Sequence, residues 1–228
     1  MSDLEATTLT SLIGHATRVV IVSPHPDDEV LGCGGLMAML AETGIPVIVL
    51  SVTDGERCYP SDIAGFEHMR RVRRDELLEA SGILGITGDG LRFFGIPDSD
   101  AASHLTRMAD LIQPVLAPND IVFAPWRFDG HPDHEAVYRA TTIAAAVVGC
   151  QVVEYPIWGW HWANPHQMEA LSAPPVSLPI SKAAQARKRA AIACFRSQWD
   201  EAHAPNAQPI LPPAVLVRFA RDKELFFK

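Results

Sequence analysis

Two short stretches concentrate side chains able to hold a metal ion and move protons. They are Pro24-His25-Pro26-Asp27-Asp28-Glu29 and, roughly a hundred residues later, His131-Pro132-Asp133-His134. His25 and Asp28, three residues apart at a turn entering a helix, can converge on one cation, and His134 can supply a third ligand. Two histidines and one carboxylate leave a coordination position open for water, the pattern of catalytic rather than structural zinc. The same donors accept ferrous iron, which is the alternative metal. Asp27 is then a spare carboxylate beside the cation, a candidate general base for water attacking an amide carbonyl. A protonated His131 would face the resulting oxyanion, and Asp133 would hold it charged, because a nearby carboxylate raises an imidazole's pKa. A single His-Pro-Asp is equally served by a turn in which proline sets the bend and aspartate caps a helix. Two of them, each at a strand end, favour a metal-dependent hydrolase.

Both stretches follow apolar, β-branched runs that read as buried strands, Val19–Val22 and Ile121–Ala124. Ends of parallel strands are where open α/β sheets gather functional groups. The second of these runs extends to Asp120–Ala124, and further strands are expected over Ile45–Val52, Leu91–Phe94 and Gln151–Ile157. Helical periodicity marks Leu31–Ala41 with Gly44 as its cap, Phe66–Leu84, Leu105–Leu116, Glu135–Val148 and Ser181–Trp199. A Pro-rich loop and an edge strand near Val215–Phe219 are expected to follow. This alternation predicts an α/β fold: a Rossmann-like three-layer α/β/α sandwich with a mostly parallel sheet, in a single domain over 1–228.

Composition narrows the function. With 228 residues, 48% apolar, the chain can bury a full core. A net charge of −8 argues against binding nucleic acid, which wants a basic face. No apolar run reaches membrane-spanning length, and the acidic start lacks the order of a signal peptide. Cys33, Cys58, Cys150 and Cys194 are scattered, which fits reduced thiols and a cytoplasmic location. Gly32-Cys33-Gly34-Gly35 suggests a dinucleotide loop but fails on spacing, since Met37 stands where the third glycine belongs. These glycines are expected to let the helix pack closely beneath the metal loop.

The paired motifs resemble those of the PIG-L/LmbE-like family of zinc-dependent N-deacetylases. The likeness continues in Arg73-Arg74-Asp75-Glu76 before Leu84-Gly85, in Arg196-Ser197-Gln198, and in Leu225-Phe226 near the end. It implies the same three ligands, His25, Asp28 and His134, with Asp27, His131 and Asp133 as the catalytic groups. It implies removal of an acetyl group from an N-acetylglucosamine-type amino sugar or its conjugate. The alternatives are an amidase for a larger thiol- or glycoconjugate amide, and a metal-binding module without catalysis.

Substrate contacts are expected from Arg73, which matches the family's helix arginine, and from Asp54 at the second strand end. Trp160 and His161, in Trp158-Gly159-Trp160-His161-Trp162, are expected to line the pocket; the same segment and the Pro-rich tail are candidates for a homo-oligomer contact. Some relatives carry a tyrosine two residues before the second motif. Asp129 stands there in this chain, with Arg127 as the nearest substitute.

Overall fold

The structure is a computed structural model and describes residues 4–60, 65–163, 174–203 and 208–228. After α1 (Leu9–Ile13) come β1 (Arg18–Ser23), α2 (Asp28–Thr43), β2 (Val47–Thr53), α3 (Phe66–Leu84), β3 (Leu91–Ile96) and α4 (Leu105–Ile112). They are followed by β4 (Asp120–Pro125), α5 (Pro132–Val148), β5 (Gln151–Tyr155) and α6 (Gly159–Trp162). The five strands form a parallel sheet in the order β3-β2-β1-β4-β5, with Val20 opposite Ile48 on one side and Val122 on the other.

Alternation along β1 explains the layers. Val19 and Ile21 join a core with Leu36 of α2 and Leu77 of α3, while Val20 and Val22 join a second core with Met108 of α4 and Val137 of α5. Successive strand residues face opposite sides, so a strand with an unbroken apolar run, here Val19–Val22, must be covered twice. The α/β/α sandwich is as expected. Because β1 connects to β2 through α2 on one face, and β4 is entered from α4 on the other, the winding reverses between β1 and β4. The crevice at their carboxyl ends is the switch point where such sheets bind ligands.

The remaining chain adds β6 (Val176–Pro179), α7 (Lys182–Ile192), α8 (Arg196–Trp199), α9 (Pro213–Phe219) and β7 (Lys223–Phe226). β6 and β7 pair antiparallel, Val176 opposite Phe226. The edge strand expected at Val215–Phe219 is instead α9. Pro213 starts it at a position that needs no backbone donor, and Val215 and Phe219, one turn apart, are its buried face. The helix expected over Ser181–Trp199 is interrupted at Ala193–Phe195. The helix expected to Leu116 stops at Ile112, and Pro114 sits in a following 3₁₀ turn.

Helix α2 carries Asp28 and Glu29 of the first motif and is held from three directions. Tyr155 packs where a Gly32 Cβ would lie 2.3 Å from its Cδ2, and its hydroxyl donates to Val22 O at 2.8 Å. Glu224 of β7 accepts from Gly35 N at 2.6 Å and Leu36 N at 2.8 Å. Lys188 of α7 donates to Leu31 O and Glu224 Oε1, both at 2.7 Å. Lys188 and Glu224 are only 2% and 4% exposed, and each charge of this buried pair meets more than one hydrogen-bond partner. The glycines thus serve close packing, as expected, and no dinucleotide loop forms.

Candidate metal centre

His25, Asp27 and Asp28 leave the carboxyl end of β1, and His131, Asp133 and His134 that of β4. The β1–β4 pairing brings the two motifs together despite their separation in sequence. His25 Nδ1 lies 3.1 Å and His134 Nε2 3.2 Å from the same oxygen, Asp28 Oδ2. The three ligand atoms fall within 4.8 Å of one another, as do those of His25, His131 and Asp133. His134 is fully buried, yet neither of its ring nitrogens has an aligned hydrogen-bond partner. Each nitrogen nonetheless faces a carboxylate, Nδ1 that of Asp129 and Nε2 that of Asp28, so the ring is fixed with Nε2 turned into the cluster. Two imidazoles and a carboxylate of this arrangement fit a divalent ion.

The histidines are backed by further carboxylates. His134 Nδ1 lies 2.7 Å from Asp129 Oδ2, and His25 Nε2 lies 3.2 Å from Asp133 Oδ2 and 3.3 Å from Asp98 Oδ1. Such partners orient ligand histidines and raise their basicity. Burial pushes the Asp28 carboxyl up, but His134 and His25 outweigh it and hold it well below the usual range. Burial depresses His134, but Asp28 and Asp129 raise it to about 9.

Asp27 lines the cavity at φ +141°, a backbone region that side chains rarely adopt and that costs about 1–3 kcal/mol. Its carboxylate accepts from Arg73 Nη2 at 2.9 Å. Burial pushes Asp27 up to about 7, against the pull of Arg73. Arg73 is 3% exposed and also donates to Pro26 O at 2.6 Å and Gly55 O at 3.0 Å. Gly55 is obligatory there: at φ +60° it leaves room for a guanidinium that a Cβ would meet at 2.0 Å. Beneath the loop, Ser23 Oγ lies 2.5 Å from His25 O and 2.6 Å from Glu29 Oε2. One hydroxyl hydrogen serves only one of these, which favours a protonated Glu29, pushed up to about 8 chiefly by burial.

The expected Asp133–His131 pairing is absent. Asp133 is the second residue of α5, and its carboxylate turns back to accept from Ser99 N at 2.8 Å and Ala101 N at 3.1 Å. His131 caps α5, Nδ1 accepting from Asp133 N at 3.2 Å, so the neutral ring carries its hydrogen on Nε2. Burial, then His134 and His25, lower its pKa to about 4. It is a neutral donor rather than the charged one expected.

Of the expected substrate contacts, Arg73 and His161 line the cavity, and Asp54, Arg127 and Trp160 do not. Asp54 accepts from Arg74 at 2.6 and 2.9 Å, which anchors α3. Arg127 is paired with Glu154 and lies over the Tyr138 ring. Trp160 packs against the core beneath Arg221, 4.6 Å from its ring. In each case a distant partner, invisible in local spacing, claims the side chain. Sequence reasoning missed Asp98 and Ser99 after β3, and Arg57 and Gln198, all lining the cavity. The strand end at Ile96-Pro97-Asp98 was the available signal. Asp129 stands where some relatives have tyrosine; it is fully buried and accepts from the backbone of Ile157, Trp158 and Gly159 as well as approaching His134.

Residues 20–145 match the family described as PIG-L, GlcNAc-PI de-N-acetylase. The chain is 30% identical, over 62% of its length, to a 1D-myo-inositol 2-acetamido-2-deoxy-alpha-D-glucopyranoside deacetylase of Kineococcus radiotolerans, and spans 49% of that relative. It is 30% identical to a probable N-acetyl-alpha-D-glucosaminyl L-malate deacetylase of Bacillus cereus, over 80% of this chain and 84% of that one. A crystal structure of a conserved protein from Thermus thermophilus superposes with a TM-score of 0.69 at 26% identity, covering 93% of this chain and 94% of that one.

Proposed function

Because this chain belongs to the PIG-L family, we propose that it is a metal-dependent hydrolase that removes the N-acetyl group of an N-acetylglucosamine-type amino sugar or its conjugate. One observation carries the reading: two imidazoles and a carboxylate converge at the switch point of the sheet, with a second carboxylate, Asp27, in the cavity beside them. His25, Asp28 and His134 would hold the ion, zinc by preference with ferrous iron as the alternative. When bound, such an ion supplies Lewis acidity for the amide carbonyl and lowers the pKa of water.

The chain's own groups do the rest. Asp27 takes a proton from the attacking water and returns it to the departing amine; burial gives it the proton affinity for both tasks. Arg73 fixes the Asp27 carboxylate in place through one oxygen. His131 donates its Nε2–H to the oxyanion, held in that tautomer by the backbone of Asp133. Asp133 and Asp98 orient His25, and Asp129 orients His134. No helix among the described residues is long and apolar enough to cross a membrane. Four free thiols support a cytoplasmic location. One domain over 1–228 is supported by the packing of β7 on the sheet, Phe226 against Phe123 at 5.3 Å.

The test is acetate release from N-acetylglucosamine conjugates by the zinc-loaded chain and by Asp27→Asn. A loss of about 10²–10⁴-fold with metal content retained is expected. Equal rates would remove Asp27 from the mechanism, and no acetate from any conjugate would overturn the reading.

A further inference from the structure

Among the described residues, two that are not glycine have a positive φ, Asp27 at +141° and Ser99 at +63°. Asp27 stands beside the ligand cluster as the base. Ser99 follows β3, in a turn closed by Asp100 N donating to Pro97 O at 3.3 Å, and holds the third of the four positions. Positive φ at that position calls for glycine or asparagine. A serine there is strained, and such strain persists only where the surroundings impose it. The side chain imposes little, since Ser99 is exposed and its Oγ donates to Asp98 Oδ1 at a long 3.4 Å. The amide is the stronger tie. Ser99 N donates to Asp133 Oδ2 at 2.8 Å, and the same oxygen lies 3.2 Å from His25 Nε2. Asp98 Oδ1 lies 3.3 Å from that nitrogen as well. Two carboxylates thus share one imidazole nitrogen, whose single hydrogen serves one of them at a time. Backbone donors keep both in place, Arg57 N on Asp98 at 2.7 Å, and Ser99 N and Ala101 N on Asp133.

We propose that Ser99 is a positioning residue for the metal ligand His25: its backbone, held at positive φ, aims the Asp98–Ser99 amide at Asp133, and Asp133 holds the imidazole. The inference rests on the metal-centre reading above and adds how the ligand ring is kept in place. In a four-residue turn, the sign of φ at the third position decides which way the central peptide faces. Turns with negative and with positive φ there differ by a rotation of that peptide through about 180°. Here the central peptide is Asp98–Ser99. With Ser99 at negative φ, its N–H would leave the side on which Asp133 lies. Asp133 would keep Ala101 N as its backbone donor on Oδ1 and lose the one on the oxygen that faces His25. A ligand histidine is oriented by the acceptor on its other nitrogen, so the ring would lose its direction with it.

Two substitutions separate the backbone from the hydroxyl. Ser99→Gly loses the hydroxyl but adopts positive φ freely, whereas Ser99→Thr keeps the hydroxyl on a β-branched side chain that resists positive φ. Ser99 is exposed, so neither change leaves a hole in the core. Zinc affinity of the full chain is read by competition with a chromogenic chelator, with the melting transition alongside. Ser99→Thr is expected to bind zinc about tenfold or more weakly, and Ser99→Gly within about threefold of the native chain. In the metal-free protein, NMR follows the His25 Nε2 proton. It is expected to be visible in the native chain and in Ser99→Gly, and lost to exchange with water in Ser99→Thr. Native zinc affinity in Ser99→Thr overturns the inference, even with a lowered melting transition, because Ser99 would then be structural only. Ser99→Gly as weak as Ser99→Thr also overturns it and gives the role to the hydroxyl. If the native chain binds no zinc, the metal-centre reading fails and the His25 proton alone decides, equal exchange in all three chains overturning the inference.

Discussion

Arg73→Met tests whether the base is built as described. The guanidinium is 3% exposed and makes three hydrogen bonds, to Asp27 Oδ2, Pro26 O and Gly55 O. Methionine keeps much of the volume but leaves two carbonyls without this donor and the buried Asp27 without its cation. Removing one partner of a buried pair costs about 3–5 kcal/mol. Asp27 can escape by taking up a proton, and each unit of pKa rise this requires costs about 1.4 kcal/mol. For a chain of 228 residues, about 2–4 °C of melting temperature accompanies each kcal/mol, so the loss should be about 6–20 °C. The assay is a double-mutant cycle in denaturant with Asp27→Asn, whose amide needs no cation. There Arg73→Met should cost at least about 1 kcal/mol less than in the native chain. A loss below about 1 kcal/mol in the native background, or the same loss in both backgrounds, would refute the coupling.

Gly32→Ala drives a Cβ to 2.3 Å from a Tyr155 ring that is pinned by its hydroxyl, so the melting transition should fall by an overpacking cost of about 1–3 kcal/mol. An unchanged transition would mean that the ring is free to move. Asp129→Asn should weaken zinc affinity by about 10–100-fold, read by competition with a chromogenic chelator; unchanged affinity would deny Asp129 its role on His134. Lys188→Met leaves Glu224 buried and without its cation, and should cost about 3–5 kcal/mol in denaturant. Adding Glu224→Gln should recover part of it, and no recovery would contradict the pairing.

Much of the fold is legible because each central strand holds an unbroken run of four apolar residues, Val19–Val22, Val47–Leu50 and Ile121–Ala124. Phe66–Leu84 is helical over the range its periodicity predicts. Val215–Phe219 misleads because a short run rich in Val and Phe suits a strand as well as one buried helical face, and only the packing decides. At the site, the convergence of His25, Asp28 and His134 on one point was readable because their spacing serves a shared purpose. Asp133 shows what spacing cannot give: it stands beside His131 in sequence, but its place in the first turn of α5 turns it toward Ser99, Ala101 and His25. Asp54 and Arg127 looked available for substrate because their partners, Arg74 and Glu154, lie 20 and 27 residues away. Asp98 was missed because a lone aspartate after a strand has no spacing signal, and its meaning comes from the neighbouring strand end.

Anomalous diffraction at the zinc edge, from crystals of the metal-loaded protein, tests the central claim most directly. The account predicts a peak within coordination distance of His25 Nδ1, an Asp28 carboxylate oxygen and His134 Nε2, and its loss in His134→Ala. A peak elsewhere, or one that survives unchanged in His134→Ala, would contradict it.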